Sequence, residues 1–351
     1  MTTSPHRICL LSLVFAVLAA ACESGAERPR FDAEDYELSR PPPAGPRLAG
    51  ANYTHHSFED CSWEGSGLLT SYHRADVAER VHRQLRHMRE SGIGSLRLLI
   101  WHMTDIPRQR WGVVPSRGGR LGQPYRDNLI ALVTEIRRFG FERLTISFSP
   151  QWTNSPLRDN YDPRRLDENW SFIRDVRDLV TEHGPAETAF DLLNEGAPSD
   201  HLPAVVQKRM TEYIGRLWDR YAAQYGIGDV GISVIAPRDS RDRGHRLANL
   251  LDLYEEAGHG QPRSYEVHLN FAPAEVLFGL SAVDSVLSSR GLDGPLVIGE
   301  ISYGDSAVAA SVGAFLSDSP RPLREILQWV AAIGDSCPVS PPYVPGPYRT
   351  P

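Results

Sequence analysis

Short apolar runs rich in β-branched residues alternate along the chain with longer stretches whose apolar residues recur at helical spacing. The runs predict strands at 48–52, 95–100, 144–148, 189–193, 230–235, 265–269 and 296–299, with 326–332 as an eighth. The stretches between them predict helices at 76–91, 127–139, 169–183, 204–225, 246–257, 273–290 and 306–316. Continuous apolar runs joined by helical crossovers are typical of buried parallel strands. This rhythm over about 300 residues predicts an α/β fold, a (β/α)8 TIM barrel.

Two other classes of protein are disfavoured. A doubly wound open sheet is the rival α/β fold, but the Gly-rich phosphate fingerprint that usually follows its first strand is missing here. A nucleic-acid-binding protein carries a clustered basic face. This chain has a net charge of -7, with basic and acidic residues interspersed, and we expect no nucleic-acid partner.

The N-terminus has the pattern of an export signal. His6 and Arg7 precede an apolar run at 8–21 that ends at Cys22. The run is short for a membrane-spanning helix and typical of a secretory signal. Leu18-Ala19-Ala20-Ala21-Cys22 is similar to a bacterial lipobox, which predicts cleavage before Cys22 and its acylation. The alternative is an ordinary signal peptide cut near Ala21. We therefore expect an exported protein, lipid-anchored at the cell envelope, or secreted if Cys22 is not acylated.

The remaining chain divides into a linker and one domain. Residues 23–47 are rich in Pro, Glu and Arg, which predicts a flexible tether. Residues 1–22 are then a lipoprotein signal peptide and lipobox, and 48–351 form a single domain, expected to be monomeric. Cys61 and Cys337 lie near the two ends of this domain. In an oxidising compartment they predict a disulfide, with two unrelated buried thiols as the alternative.

Polar and aromatic residues occupy the ends of the predicted strands, where catalytic groups of a (β/α)8 barrel lie. They are Asn52, Arg97, Trp101, His102, Gln151, Trp152, Asn194, Glu195, Arg238, Asp239, His268, Asn270, Glu300 and Trp329. Glu195 and Glu300 each follow an apolar strand, so their carboxylates are expected at the same end of the barrel. Cleavage of a glycosidic bond needs two such carboxylates, one to protonate the leaving oxygen and one ionised. The alternative is that both acids are salt-bridge partners at the rim.

This ordered set resembles glycoside hydrolase clan A, and within it the cellulase and mannanase family numbered five. That clan has an Asn–Glu pair at the end of the fourth strand and a glutamate at the end of the seventh, which Asn194, Glu195 and Glu300 match. The resemblance implies that Glu195 is the acid/base and Glu300 the nucleophile of a retaining mechanism. It also implies that Asn194 binds the sugar 2-hydroxyl.

Other matches to the clan implicate residues in substrate binding. Arg97 stands where the clan has an arginine that keeps the nucleophile ionised, and His268 where family members have a histidine. Asn52 belongs to a Gly-x-Asn motif. The remaining candidate sugar ligands are His102, Asp239, Trp101, Trp152 and Trp329. Trp329 matches a tryptophan under the reacting ring. The alternative is loop polarity for His102 and Asp239, core packing for each tryptophan, and a satisfied buried histidine for His268. For Arg97 the alternative is pairing with a loop acid. We also expect repulsion between the two acids to raise the pKa of Glu195.

Two positions depart from the family pattern. Gly196 follows the acid/base where proline is usual, and Asn270 stands where a tyrosine usually hydrogen-bonds the nucleophile. Tyr303, three positions after Glu300, is a candidate to supply a phenol instead. These departures affect the choice of family more than the type of reaction.

The sequence thus predicts a retaining β-glycosidase acting on a polysaccharide or oligosaccharide, with no metal or cofactor required. Two alternatives remain. One is a non-catalytic glycan-binding lipoprotein that kept the barrel and lost turnover. The other is a transglycosylase that remodels an exopolysaccharide.

Overall fold

The computed structural model describes residues 28–42, 48–56, 67–106, 112–240, 245–302 and 305–329. The strands are β1 (Ala49–Asn52), β2 (Ser95–Met103), β3 (Val114–Pro115), β4 (Arg143–Pro150), β5 (Glu187–Asp191), β6 (Val230–Gly231), β7 (Val234–Ile235), β8 (Tyr265–Leu269), β9 (Leu296–Ser302) and β10 (Leu323–Trp329). The helices are α1 (Leu68–Ser71), α2 (Ala75–Glu90), α3 (Tyr125–Arg138), α4 (Arg165–His183), α5 (Ala204–Tyr225), α6 (His245–Ala257), α7 (Pro273–Ser289) and α8 (Ser306–Asp318).

The strands form one parallel sheet that closes on itself. Their order is β6-β5-β4-β2-β1-β10-β9-β8-β7, with β3 added beside β2. β6 and β7 belong to one segment, 230–235, whose first half pairs with β5 and whose second half pairs with β8. The two ends of the sheet therefore meet in this segment, which makes a barrel. The predicted (β/α)8 fold is confirmed.

Three predicted strands are displaced or interrupted. The strand predicted at 189–193 lies at Glu187–Asp191. The predicted strand 230–235 is interrupted, because the N–H and hydroxyl of Ser233 both donate to the carboxylate of Asp191. The eighth strand was predicted at 326–332 but lies at Leu323–Trp329. Arg324 and Glu325 break the apolar pattern of its first half, although Glu325 is buried.

The helices cover the outside of the barrel, and their direction distinguishes its two ends. In α2 the buried residues Val77, Val81, Leu85 and Met88 recur at helical spacing, so one face packs on the sheet. Each helix that joins two parallel strands begins near the end of the first strand and runs antiparallel to that strand. We call the end at which the strands finish the mouth, and the opposite end the floor.

Residues 28–42, assigned to a flexible tether by their composition, instead lie against the barrel. A 3-10 helix spans Ala33–Tyr36. The ring of Phe31 stacks on that of His82 with centroids 3.9 Å apart, and the ring of Tyr36 lies 5.0 Å from that of Phe139. These aromatic side chains supply contact area that the average composition of the stretch conceals. We call residues 28–42 the strap.

Several sequence predictions fall outside the described residues. These are the signal peptide at 1–22, acylation of Cys22, the Cys61–Cys337 disulfide and the role of Tyr303, and they stay predictions. Within the described part of the chain, no helix combines the length and the apolar character needed to cross a bilayer.

Candidate active site

Arg97 lies in the interior of the barrel, fully buried and surrounded by oxygen atoms. Its terminal nitrogens donate hydrogen bonds of 2.7 to 3.0 Å to side-chain oxygens of Asn52, Ser147, Asp191, Asn194 and Glu300. Its Nε lies 2.7 Å from Oε1 of Glu266. Burial alone would lower the pKa of Arg97, but its carboxylate neighbours raise it above its usual value. The guanidinium therefore stays charged and orients the groups around it.

Both carboxylate oxygens of Glu300 accept hydrogen bonds. Arg97 Nη1 donates to Oε1 over 3.0 Å, and Asn270 Nδ2 donates to Oε2 over 3.0 Å. Asn270 is the position at which the family has a tyrosine bound to the nucleophile. The amide of Asn270 donates a hydrogen bond to the same carboxylate. An amide donor therefore replaces the phenol of the family pattern, and the hydrogen bond to the candidate nucleophile is kept.

Glu195 follows β5 with a backbone strained toward the left-handed region. Its φ is 53°, a conformation that is costly for a residue with a side chain and recurs at functional sites. Its N–H donates to Oγ of Ser233 over 2.8 Å, which holds this turn. At Gly196 a Cβ would lie 2.6 to 2.7 Å from side-chain atoms of Leu193. The proline that is usual at this position would not fit against Leu193.

His268 lies between the two candidate catalytic acids. Its Nδ1 is 3.1 Å from Oε1 of Glu195 and 3.5 Å from Oε1 of Glu300, and its Nε2 is 3.2 Å from Oε1 of Glu266. Burial lowers the pKa of His268, but the three carboxylates, led by Glu300, outweigh it and raise the pKa to about 10. The ring is an imidazolium at neutral pH, and both of its nitrogens carry a proton.

The expectation that repulsion raises the pKa of Glu195 is wrong for this geometry. Burial raises the pKa of Glu195, but the hydrogen bond and positive charge of His268 lower it below its usual value. The proton therefore resides on Nδ1 of His268, one hydrogen bond away from Oε1 of Glu195.

The two acids lie close together. One carboxylate oxygen of Glu195, one of Glu300 and a ring nitrogen of His268 all lie within 4.8 Å of one another. Such a set also contains the donor types of a metal site. The fit is poor, because a protonated imidazole has no free lone pair and Arg97 already supplies positive charge at Glu300.

Asn52 and Asn194 are both held by Arg97. The amide of Asn52 donates to the carbonyl oxygens of Gly299 and Leu327 over 2.8 and 3.2 Å, and its Oδ1 accepts from Arg97. Oδ1 of Asn194 accepts from Arg97 Nη2 over 2.7 Å. Asn52 thus ties β1 to β9 and β10 below the mouth, while Asn194 is oriented next to Glu195. Sugar binding by either residue stays a prediction.

His102 does not join this group. It lies five positions after Arg97 in β2, so its side chain points to the opposite face of the sheet. There it is fully buried, and its ring stacks on Phe172 of α4 with centroids 4.5 Å apart. Burial lowers its pKa to about 3. The predicted sugar ligand is therefore a packing residue between sheet and helix.

The three candidate tryptophans lie at the mouth. Trp101 is half-buried near the end of β2, with its ring 5.2 Å from that of His55. Trp152 follows β4 and is 47% exposed. Trp329 ends β10, half-buried and in register with Ser302 of β9. Stacking of any of them on a sugar stays a prediction.

Sequence reasoning missed four members of the interior network, Ser147, Asp191, Ser233 and Glu266. For Glu266 the signal is alternation, since Glu266, His268 and Asn270 occupy every second position and share one face of β8 and its extension. A second signal is Gly299, where a Cβ would lie 2.2 Å from Oε1 of Glu266. Glycine before the candidate nucleophile makes room for this carboxylate.

The comparisons with known proteins give the fold. No family model matches the chain, and no curated protein matches it. Endo-glycoceramidase II from Rhodococcus sp. is similar in structure with a TM-score of 0.51 and 15% identity, over 88% of this chain and 78% of that one. The fold is a barrel of the glycosidase type.

Two further solved structures show lower similarity. Exo-beta-1,4-mannosidase Op5Man5 from Opitutaceae bacterium strain TAV5 has a TM-score of 0.48 and 14% identity, over 86% of this chain and 54% of that one. N2152 from Neocallimastix frontalis has a TM-score of 0.47 and 14% identity, over 80% of this chain and 60% of that one. This chain thus spans little more than half the length of either protein. The barrel fold that the resemblance to clan A implies is the fold observed.

Proposed function

We propose that the protein is a retaining glycoside hydrolase that cleaves a β-linked glycan by double displacement. The observation that carries the proposal is the short distance, within 4.8 Å, between carboxylate oxygens of Glu195 and Glu300. Retaining enzymes hold their two carboxyl groups about 5–5.5 Å apart, whereas inverting enzymes need roughly 6.5–9.5 Å to admit a water molecule.

In the first step Glu300 attacks the anomeric carbon. Arg97 and Asn270 each bind one of its oxygens and so fix the plane of the carboxylate. A carboxylate oxygen forms a bond to the anomeric carbon while the bond to the leaving oxygen breaks, and Glu195 gives that oxygen a proton. Asn194, oriented by Arg97, binds the sugar 2-hydroxyl.

His268 supplies the proton that Glu195 needs. Its Nδ1 lies 3.1 Å from Oε1 of Glu195, and Glu300 is the strongest of the carboxylates that hold its pKa up. As Glu300 becomes an ester it loses its negative charge, which releases the proton toward Glu195. In the second step the oxygen of a water molecule bonds to the anomeric carbon while the ester bond to Glu300 breaks, which restores the Glu300 carboxylate. Glu195 takes the proton from that water, and the proton returns to His268.

The proposed location rests on the N-terminal sequence. An apolar signal and a lipobox-like run before Cys22 support export and acylation. We place the enzyme at the cell envelope, held by a lipid on Cys22, with a polysaccharide or oligosaccharide as substrate.

Hydrolysis of a panel of aryl β-glycosides and β-glycans by the form lacking residues 1–22 tests the proposal. Turnover should be lost in Glu300→Gln and Glu195→Ala, with azide restoring the latter on activated glycosides. Glu212→Gln, on the exposed face of α5, is the matched control and should keep full turnover. Glycan binding without turnover, unaffected by Glu300→Gln, would instead identify a binding protein.

A further inference from the structure

The strap runs along the groove between α2 and α3 from the mouth to the floor. Near its start, Arg28 donates to the carbonyl oxygen of Tyr72 over 3.1 Å and to Oδ1 of Asn128 over 2.8 Å. Tyr72 precedes α2 and Asn128 lies in the first turn of α3, so both mark the mouth end. At the other end, Ser39 bonds to Glu90, the last residue of α2.

The strap is fixed on the barrel rather than only lying near it. Phe31 stacks on His82 at 3.9 Å, midway along α2. The guanidinium of Arg28 also lies 4.8 Å from the ring centroid of Tyr72. Stacking and charge-assisted contacts along its length hold the chain in this direction. Arg28, the first residue that the structure describes, therefore lies at the mouth end.

The sequence before Arg28 sets how far an anchor can be from the mouth. Only residues 23–27 separate Cys22 from Arg28. Fully extended, this stretch spans at most about 20 Å. A lipid on Cys22 would hold the barrel at its mouth end, within that distance of the bilayer.

Exposed apolar side chains collect at the same end. In the described part of the chain, the large hydrophobic residues that are exposed are Trp152 at 47%, Leu157 at 40%, Val205 at 71% and Leu277 at 38%. Trp152 and Leu157 lie between β4 and α4, and the other two lie near the N-termini of α5 and α7. All four positions belong to the mouth. Apolar side chains gathered on one end of a protein mark a contact surface, and Trp and Leu suit a membrane interface.

We infer that the mouth faces the bilayer that carries the anchor, and that the substrate is a β-linked glycan attached to a lipid of that membrane. The inference rests on the proposed function and on acylation of Cys22. A span of about 20 Å admits a glycolipid head group between barrel and bilayer. A soluble polymer has to enter the same narrow space from the side.

Hydrogen exchange tests the orientation without any need for turnover. The full chain, acylated by a bacterial host and placed in vesicles of phosphatidylethanolamine and phosphatidylglycerol, is compared with Cys22→Ser in solution. We expect slower exchange at 152–157, 203–207 and 273–278, and unchanged exchange at the floor segments 139–142, 226–229 and 290–294. Slower exchange at the floor, equal exchange throughout, or an intact mass without an acyl chain would overturn the inference.

A second measurement tests the substrate class. The sugar selected by the panel above is compared as its water-soluble glycerol glycoside and as the same glycoside on dioleoylglycerol in the vesicles, so that the leaving group is the same in both. Because tethering raises effective concentration, the acylated enzyme should hydrolyse the lipid-linked sugar about tenfold faster or more. Val205→Ser with Leu277→Ser, or a long Gly/Ser insertion after Ala26, should reduce that advantage and leave hydrolysis of the free glycoside unchanged.

The two failures are distinguishable. Equal rates on the free and lipid-linked sugars would overturn the substrate class while leaving the hydrolase intact. Lack of hydrolysis on the whole panel would refute the proposed function, whereas the exchange measurement would still report which end of the barrel faces the vesicle.

Discussion

Asn270 Nδ2 donates a 3.0 Å hydrogen bond to Oε2 of Glu300, the oxygen opposite the one bound by Arg97. An amide thereby holds the candidate nucleophile, whereas the cellulase and mannanase family that the sequence resembles has a tyrosine phenol at this position. Arg97 and Asn270 approach the carboxylate from different strands, β2 and the end of β8, so its orientation depends on the packing of both.

Asn270→Ala should lower kcat/KM on aryl β-glycosides by roughly 10- to 100-fold, because hydrogen bonds to charged groups contribute about 1.5–3 kcal/mol. Asn270 is exposed, so the melting temperature should change little. Asn270→Tyr restores a donor and should recover part of the rate. Unchanged kinetics in Asn270→Ala would show that Arg97 alone positions the nucleophile.

Glu266→Gln should lower the pKa of His268 from its value of about 10, since it removes one of three surrounding carboxylates. A folded-state pKa raised above the unfolded value stabilises the protein fully below about pH 6.5 and loses that contribution as pH rises through about 10. The stability of the variant should therefore fall at lower pH than that of the wild type. NMR titration of the His268 ring and urea unfolding from pH 6 to 10 measure both effects.

Glu187→Gln is the control for that experiment, because Glu187 is exposed and pairs with Arg143 at the floor. It should leave the titration of His268 unchanged. Should Glu266→Gln fold poorly, Glu266→Asp shortens the same side chain and keeps its charge. A His268 pKa that is identical in all variants would contradict the network described here.

The lowered pKa of His102 implies that the free energy of unfolding decreases in acid. Its pKa of about 3 in the folded protein lies below the unfolded value of about 6.5, so its contribution is present above pH 6.5 and falls toward pH 3. Between pH 7 and pH 5 the loss amounts to roughly 2 kcal/mol. His102→Leu cannot bind this proton and should show a smaller change in urea unfolding between the two pH values. Equal changes would mean that the ring gains a proton without leaving its place beside Phe172.

Gly299→Ala should reduce both stability and turnover, because its methyl group would lie 2.2 Å from Oε1 of Glu266 and displace that carboxylate from Arg97 and His268. Gly313→Ala is a matched substitution in α8, where a Cβ has no heavy atom within 4 Å. It should raise stability by about 1 kcal/mol through helix propensity alone. Thermal melting and kcat for the two variants test this contrast, and a harmless Gly299→Ala would argue that Glu266 has room to move.

The fold was predictable because parallel strands joined by helices leave a strong apolar pattern. The shared end of those strands also brought Glu195 and Glu300 together, as their positions after apolar runs suggest. The charged side chains in the interior of the barrel were not predicted. Asp191 and Glu266 look like surface residues in a sequence. In the fold Arg97 pairs with both of them, Ser233 donates to Asp191, and His268 pairs with Glu266. The strap escaped prediction because its contacts come from a few aromatic side chains within a polar stretch.

The φ of 53° at Glu195 suits glycine better than any residue with a side chain. Glu195→Gly and Glu195→Ala both remove the carboxylate, so the glycine variant should be the more stable of the two by about 1 kcal/mol. Calorimetry of the pair would measure this difference. The proposed catalytic role of Glu195 accounts for a glutamate at this position. In homologues that are no longer selected for turnover, glycine should replace glutamate at this position. A homologue with Asn-Gly after the strand equivalent to β5 would therefore be a barrel that has lost its catalytic activity.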